Sequence, residues 1–447
     1  MKTKRVSSSK RRRKRRNNQS RKVWKSILCL LGGVILCFVC SRAIHTNDTK
    51  QEPQKSIGNE EMLSTETPED SEGVKEHTDI SDDTSSEETV PKELPEEVNP
   101  AEQLLDEMTL EERIYQMFIV TQEQLTGVAT VTQSGETTKN AIEAKPVGGI
   151  IYFSKNLVSR EQCIAMIENI QSYSKTGLFI SVDEEGGTVA RVAKNASMET
   201  TSFPSMQVIG DTGETSNAYE VGYTIGKEIA ELGFNLDFAP VADVYSNPEN
   251  TVIGSRAFGS VAERAASMVT ACVQGFQDSE MLCTLKHFPG HGDTSQDSHY
   301  GEAEVTKTLE ELYACELIPF QAGIDAGAQF VMVGHLTAPQ IIDENVPATL
   351  SYEIVTGLLR EEMGFQGIII TDSMAMQAIT EQYSSGEAAV KAIQAGVDII
   401  LMPYSLPDAV NGILSAVERG IITEERINES VLRILELKIQ SGIISVE

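Results

Sequence analysis

Short, almost wholly apolar runs recur along most of this chain, at 116–121, 147–153, 178–183, 235–241, 283–288, 330–335, 367–372 and 398–403. Between them lie stretches whose apolar residues repeat with helical spacing, clearest at 218–232, 262–278, 309–326, 352–363, 387–395 and 407–419. Continuous apolar strands alternating with amphipathic helices imply a parallel sheet covered on both faces. Eight such units predict an α/β fold with a single (β/α)8 barrel of the TIM type over residues 100–447. An open doubly wound sheet is the competing architecture, but no GxGxxG follows the first run. A last helix is expected over 423–440, with Thr423 as its N-cap. No second globular domain is expected beyond it.

The polar positions sharpen this picture. Asp183, the acids between 237 and 243, Lys286 with His287, His335 and Asp372 all fall at or just past the C-terminal ends of the apolar runs. In a barrel those ends share one mouth, so residues distant in sequence converge there. The stretch 285–300, LKHFPGHGDTSQDSHY, adds three histidines, a lysine and two aspartates interrupted by Pro289, Gly290 and Gly292. Proline and two glycines forbid a continuous helix, so it reads as a strand end entering a catalytic loop. HFPGH has the i, i+4 spacing of a zinc motif, but without a helix the imidazoles are not aligned, and no metal is expected.

Charge divides the chain further. Residues 1–25 hold thirteen Lys and Arg and no acid, and residues 26–41 hold no charge at all. Sixteen residues of helix span about 24 Å, against a hydrocarbon core of roughly 30 Å. The expectation is a cytoplasmic basic n-region at 1–25 and a transmembrane signal-anchor, or a cleaved signal peptide, at 26–44. Residues 46–99 carry seventeen acids against four bases and almost no aromatics, so 45–99 reads as a disordered acidic linker. The protein is then single-pass in the cell membrane with its body extracytoplasmic, or secreted if the signal is removed. The body from residue 100 has forty-nine acids and nineteen bases, a balance that excludes nucleic acid as a partner. Cys163, Cys272, Cys283 and Cys315 show no CxxC spacing or compact framework and read as free thiols. A monomer is expected.

Five motifs occur in order: DEEGG at 183–187, SRAFG at 255–259, KHFPGHGDT at 286–294, DSH at 297–299 and TDSMAM at 371–376. Together they resemble glycoside hydrolase family 3, and more closely its bacterial β-N-acetylglucosaminidase branch, over about residues 101–440. The resemblance implies a retaining exo-hydrolase that removes terminal non-reducing β-linked N-acetylglucosamine, typically from peptidoglycan fragments, with no cofactor. It makes Asp372 the nucleophile and His299, held by Asp297, the general acid/base. Asp183, Arg191, Arg256, Lys286 and His287 become the residues that grip the sugar. One departure is visible: Thr188 stands where the family usually has a first arginine, while the second, Arg191, remains. That exchange is expected to alter local packing more than specificity. Members acting as β-glucosidases commonly draw a glutamate acid/base from a second domain, and the DSH loop is expected to supply the proton here instead.

The implied chemistry suits these groups. Retaining hydrolysis needs a nucleophile on one face of the anomeric carbon and an acid on the other. An imidazole titrates near neutrality and can both give and take a proton, and a neighbouring carboxylate can hold its tautomer. Asp372, at the end of GIIITD, could alternatively cap the following helix. The loop 292–300 is expected to close on substrate and place His299. Competing functions are a β-N-acetylglucosaminide phosphorylase or β-glucosidase in the same barrel, and a non-catalytic wall-binding protein.

Overall fold

All eight apolar runs form strands in the computed structural model, which describes residues 99–295, 301, 303–342 and 346–445. The strands are β1 (Phe118–Thr121), β2 (Gly149–Ile151), β3 (Phe179–Val182), β4 (Leu236–Asp237), β5 (Leu282–Phe288), β6 (Phe330–Val333), β7 (Ile368–Thr371) and β8 (Ile400–Leu401). They pair in parallel in the order β7-β6-β5-β4-β3-β2-β1-β8. The ring is nearly closed: Ile370 bridges Ile399 just before β8, and Thr371 N donates to Ile399 O at 3.0 Å. Every residue of these strands is buried, because side chains facing inward fill the barrel and those facing outward meet helices.

The covering helices run between the strands as the periodicity predicts, with differences at particular places. Thr215–Ala230, Ala262–Asp278, Ser385–Ala395 and Leu406–Glu418 fall within a few residues of their expected spans. Arg160–Tyr173, capped by Ser159, fills the gap between β2 and β3. The expected helix at 309–326 is instead two, Leu309–Tyr313 and Leu317–Asp325. Pro319 is the reason: it has no N–H to donate to the preceding turn, so it is tolerated only where a helix begins. The segment Glu353–Glu362 winds as a π-helix. Thr423 caps the last helix, Glu424–Gln440, by accepting from Arg426 N at 3.2 Å.

Inside the barrel, Phe179 of β3 meets Phe330 of β6 edge to face at 5.3 Å. Burial of each such side chain contributes about 2–3 kcal/mol. At the N-terminal end of the strands, buried Asp398 binds Arg360 at 2.7 Å and Ser430 Oγ at 2.6 Å, and Lys438 donates to Gln116 Oε1 and Gly177 O at 2.9 Å. These contacts tie the last helix under the barrel and leave the opposite mouth free for polar chemistry. Among the described residues no helix is long and apolar enough to cross a membrane. The expected n-region at 1–25, anchor at 26–44 and all but Asn99 of the linker lie outside the described residues.

Candidate active site

Asp183 follows β3 directly, and from it a short antiparallel hairpin, Glu184–Gly186 with Val189–Ala190, folds back across the mouth. The return brings Arg191 N to Asp183 O at 3.3 Å. Glu184 holds that return from below, its carboxylate accepting Val192 N at 2.7 Å and Ala193 N at 3.1 Å. Burial pushes the Glu184 carboxyl up to about 7, against the pull of those N–H groups. The Arg191 guanidinium lies 5.8 Å from the Phe153 ring centroid. Thr188 sits exposed at the hairpin turn, where its carbonyl accepts Lys194 Nζ.

Lys286, near the end of β5, is 2% exposed. Its Nζ reaches Asp183 Oδ1 at 2.7 Å and Glu185 Oε1 at 2.6 Å. Glu185 also receives Arg256 through two parallel bonds, Nε to Oε2 at 2.8 Å and Nη2 to Oε1 at 2.7 Å. Burial opposes the charge on Glu185, yet the Arg256 guanidinium and the Lys286 ammonium outweigh it and hold its carboxyl well below the usual carboxylate range. Burial likewise works against the Lys286 ammonium, and Asp183 and Glu185 reverse the effect and raise its affinity for the proton. The cluster is therefore charged, buried and rigid, with its donors fixed before any ligand arrives.

His287 is oriented by Asp243, which lies past β4. The His287 ring Nδ1 and backbone N donate to Asp243 Oδ2 at 2.8 Å and 3.2 Å, and His291 N donates to Oδ1 at 2.6 Å. A carboxylate only accepts, so Nδ1 carries a proton. That leaves Nε2 towards the cavity, 3.4 Å from Arg256 Nη2. The glycines of the turn are dictated by contact: a Cβ on Gly292 would lie 1.7 Å from Val244 O, and one on Gly290 would lie 2.7 Å from the Glu316 side chain. His291 is buried beside this turn, its Nδ1 2.7 Å from Thr294 Oγ1, which fits it for bracing the loop.

Asp372 follows β7, its N–H held by Val333 O at 2.9 Å and its Oδ1 accepting Ser373 N at 2.6 Å. It caps no helix, since the next one, Gln377–Thr380, has Met376 as its N-cap. His335, 1% exposed, donates from Nε2 to Ser373 O at 2.9 Å, with Nδ1 2.8 Å from Thr349 Oγ1. It braces the strand end beside Asp372 and does not line the cavity.

One cavity of about 320 Å³ collects Asp183, Arg191, Arg256, Lys286, His287 and Asp372, together with Glu185 and Ser373. Its apolar wall includes Phe153, Phe238, Met376 and Met402. The volume is at the small end of the roughly 300–1,000 Å³ of small-molecule sites. Asp297 and His299 lie outside the described residues. Sequence reading did not single out Glu185 or Asp243 as site residues. The signal for both was position alone, within DEEGG and among the acids after the fourth apolar run.

Residues 109–437 match the Glycosyl hydrolase family 3 N terminal domain. The chain is 35% identical over 320 residues to beta-hexosaminidase A of Pseudoalteromonas piscicida, an alignment spanning 65% of this chain and 53% of that protein. It is 33% identical over 299 residues to a beta-hexosaminidase of Xylella fastidiosa strain 9a5c, spanning 66% of this chain and 86% of the relative. Among solved structures it is similar to a glycoside hydrolase family 3 beta-N-acetylglucosaminidase from Paenibacillus sp. str. FPU-7. That likeness has a TM-score of 0.71 at 38% identity, covering 76% of this chain and 64% of that one. The chain thus spans about half the length of the first of these relatives and most of the second.

Proposed function

The chain belongs to glycosyl hydrolase family 3, and from that premise we propose that it removes terminal non-reducing β-linked N-acetylglucosamine, as a retaining hydrolase acting on peptidoglycan fragments. The observation that carries this reading is the placing of Asp372 in the same cavity as Lys286, Arg256, Arg191, Asp183 and His287. Lys286, Arg256 and the Nε2 of His287 present a fixed set of polar groups to sugar hydroxyls, and Phe153, Met376 and Met402 offer apolar surface to the ring and acetyl group.

In the first step an Asp372 carboxylate oxygen bonds to the anomeric carbon. The glycosidic bond breaks with its electron pair on the leaving oxygen, which takes a proton from His299. In the second step His299 removes a proton from water, whose oxygen displaces Asp372 and restores the carboxylate. Asp297 holds the His299 ring in one tautomer. No cofactor takes part in either step.

The protein works as a monomer held at the cell membrane by residues 26–44, with the barrel outside the cytoplasm. The basic run at 1–25 followed by the uncharged run at 26–41 supports that topology. Mass spectrometry of the mature N-terminus tests it, since a terminus beginning after residue 44 means a cleaved signal and a secreted protein.

Incubation with chromogenic β-N-acetylglucosaminide and β-glucoside, side by side, tests the substrate. The expected result is strong preference for the former, and strong preference for the glucoside overturns the reading. A parallel arm with inorganic phosphate separates hydrolysis from phosphorolysis, for an imidazole acid/base does not repel phosphate as a carboxylate would. Free sugar is expected in both arms, and a sugar 1-phosphate in the second makes the protein a phosphorylase.

A further inference from the structure

We propose that Lys307 is a positioning residue for the segment that carries Asp297 and His299, pinning both ends of that segment over the buried carboxylate of Glu316. The inference rests on the role given to His299 above.

Glu316 stands at the N-cap of the helix Leu317–Asp325, and its side chain is wholly buried. Gly290 of the β5 turn packs directly on it. Its Oε1 accepts Ser246 Oγ at 3.0 Å and Lys307 Nζ, while Oε2 has no hydrogen-bond partner among the described residues. Lys307 Nζ also lies 3.6 Å from Asp293 Oδ1, and Ser246 Oγ lies 3.5 Å from the same oxygen. Asp293 precedes the acid/base segment and Lys307 follows it, so the two ends meet at one ion cluster.

Each end is also stitched to a different wall. On the near side Asn247 Nδ2 donates to Asp293 O at 3.1 Å, and Asn250 Nδ2 donates to His291 O at 2.7 Å. On the far side Ala303–Glu304 pairs in parallel with Leu336–Thr337, and Val305 N donates to Thr337 O at 2.8 Å. Leu336 follows His335, whose ring holds the carbonyl beside Asp372. A continuous set of bonds therefore runs from the backbone of Asp372 to the exit of the acid/base segment, and Lys307 joins that exit to the entry.

Stability alone does not call for ions at this place. Replacing a buried ion pair with apolar residues of similar volume is often neutral or stabilising. What the pair supplies is direction: Glu316 Oε1 meets Lys307 and Ser246 together in one arrangement of the two ends. Burial opposes the charge on Lys307, and the hydrogen bond and charge of Glu316, with Asp293, outweigh it and keep the ammonium ionised.

The test compares kcat/KM on two aryl β-N-acetylglucosaminides, a 2,4-dinitrophenyl glycoside that leaves without a proton and a 4-methoxyphenyl glycoside that needs one. Lys307→Met alone strands a buried carboxylate, so Lys307→Met/Glu316→Gln, neutral at both positions, is measured beside it. General acid catalysis supplies about 10²- to 10⁴-fold, and misplacing the acid is expected to cost the double variant about tenfold or more on the 4-methoxyphenyl substrate and under about threefold on the other. In a His299→Ala background the same pair of substitutions is expected to make no further difference, because its effect passes through His299. Equal losses on both substrates, or equal further losses without His299, would assign the cluster a structural role and overturn the inference. His299→Ala alone keeps the two claims apart. If it shows the leaving-group pattern and the double variant does not, only the inference fails; if it shows none, the acid/base reading fails and takes the inference with it.

Discussion

Lys286 Nζ lies 2.7 Å from Asp183 Oδ1, although 103 positions separate the two residues in sequence. The barrel alone produces that meeting, because β3 and β5 deliver their C-terminal ends to one mouth on either side of β4. The ammonium is shared with Glu185, so three residues from two strand ends form one ion cluster that lines the same cavity as Asp372.

Lys286→Met should be the most damaging change in that cluster. Breaking one side of a buried ion pair costs roughly 3–5 kcal/mol of stability. Loss of a charged hydrogen bond to the sugar, about 1.5–3 kcal/mol, lowers kcat/KM roughly 10- to 150-fold. Denaturant titration and steady-state kinetics read the two effects separately, and a variant with unchanged kcat/KM would remove Lys286 from sugar binding.

Asp243→Asn tests whether His287 acts in the tautomer that the Asp243 carboxylate imposes. Asparagine keeps the shape but offers one accepting oxygen where Asp243 uses two, for His287 and His291 N. A drop in kcat/KM of roughly 10-fold, the worth of a charge-assisted hydrogen bond, is expected with the fold intact. Wild-type kinetics would mean that the orientation of His287 is set elsewhere.

Thr188→Arg, which places the family's usual residue at the hairpin turn, should change little. Thr188 is exposed and outside the cavity lining, and surface substitutions of this kind shift energies by no more than about 0.5 kcal/mol. kcat/KM within about threefold of wild type is the expected outcome. A tenfold change would show that the hairpin tip reaches the substrate.

Glu184 gives the stability a pH signature. Its folded value is raised by burial to about 7 from an ordinary 4.5, so between those values the folded state holds a proton that the unfolded state releases. The stabilisation is fully present below 4.5 and is lost as pH rises through 7. Denaturant midpoints measured across that window should fall less steeply with pH in Glu184→Gln than in wild type. Identical slopes would place the proton elsewhere, Asp237 being the buried carboxyl raised beside it.

Much of this fold was legible in the chain because parallel strands are buried on both faces and so read as unbroken apolar runs. Asp183, Lys286, His287 and Asp372 were legible because each ends such a run. Glu185 was not, since its partner Arg256 is far along the chain and only the barrel and hairpin bring them to 2.7 Å. Pairings as short as Ala303–Glu304 with Leu336–Thr337 leave no periodic trace in sequence. Pro319 shows the converse: the residue that divides the helix at 309–326 was in plain view, and helical periodicity on both sides of it concealed the break.

Peptide mapping of a trapped intermediate tests whether Asp372 forms a covalent bond to the sugar. The protein is treated with a 5-fluoro β-N-acetylglucosaminyl fluoride, which slows release of the intermediate, then digested and analysed by mass spectrometry. One fluorosugar adduct is expected on the peptide containing Asp372, absent from Asp372→Asn. An adduct on any other residue, or turnover persisting at the wild-type rate in Asp372→Asn, would contradict it.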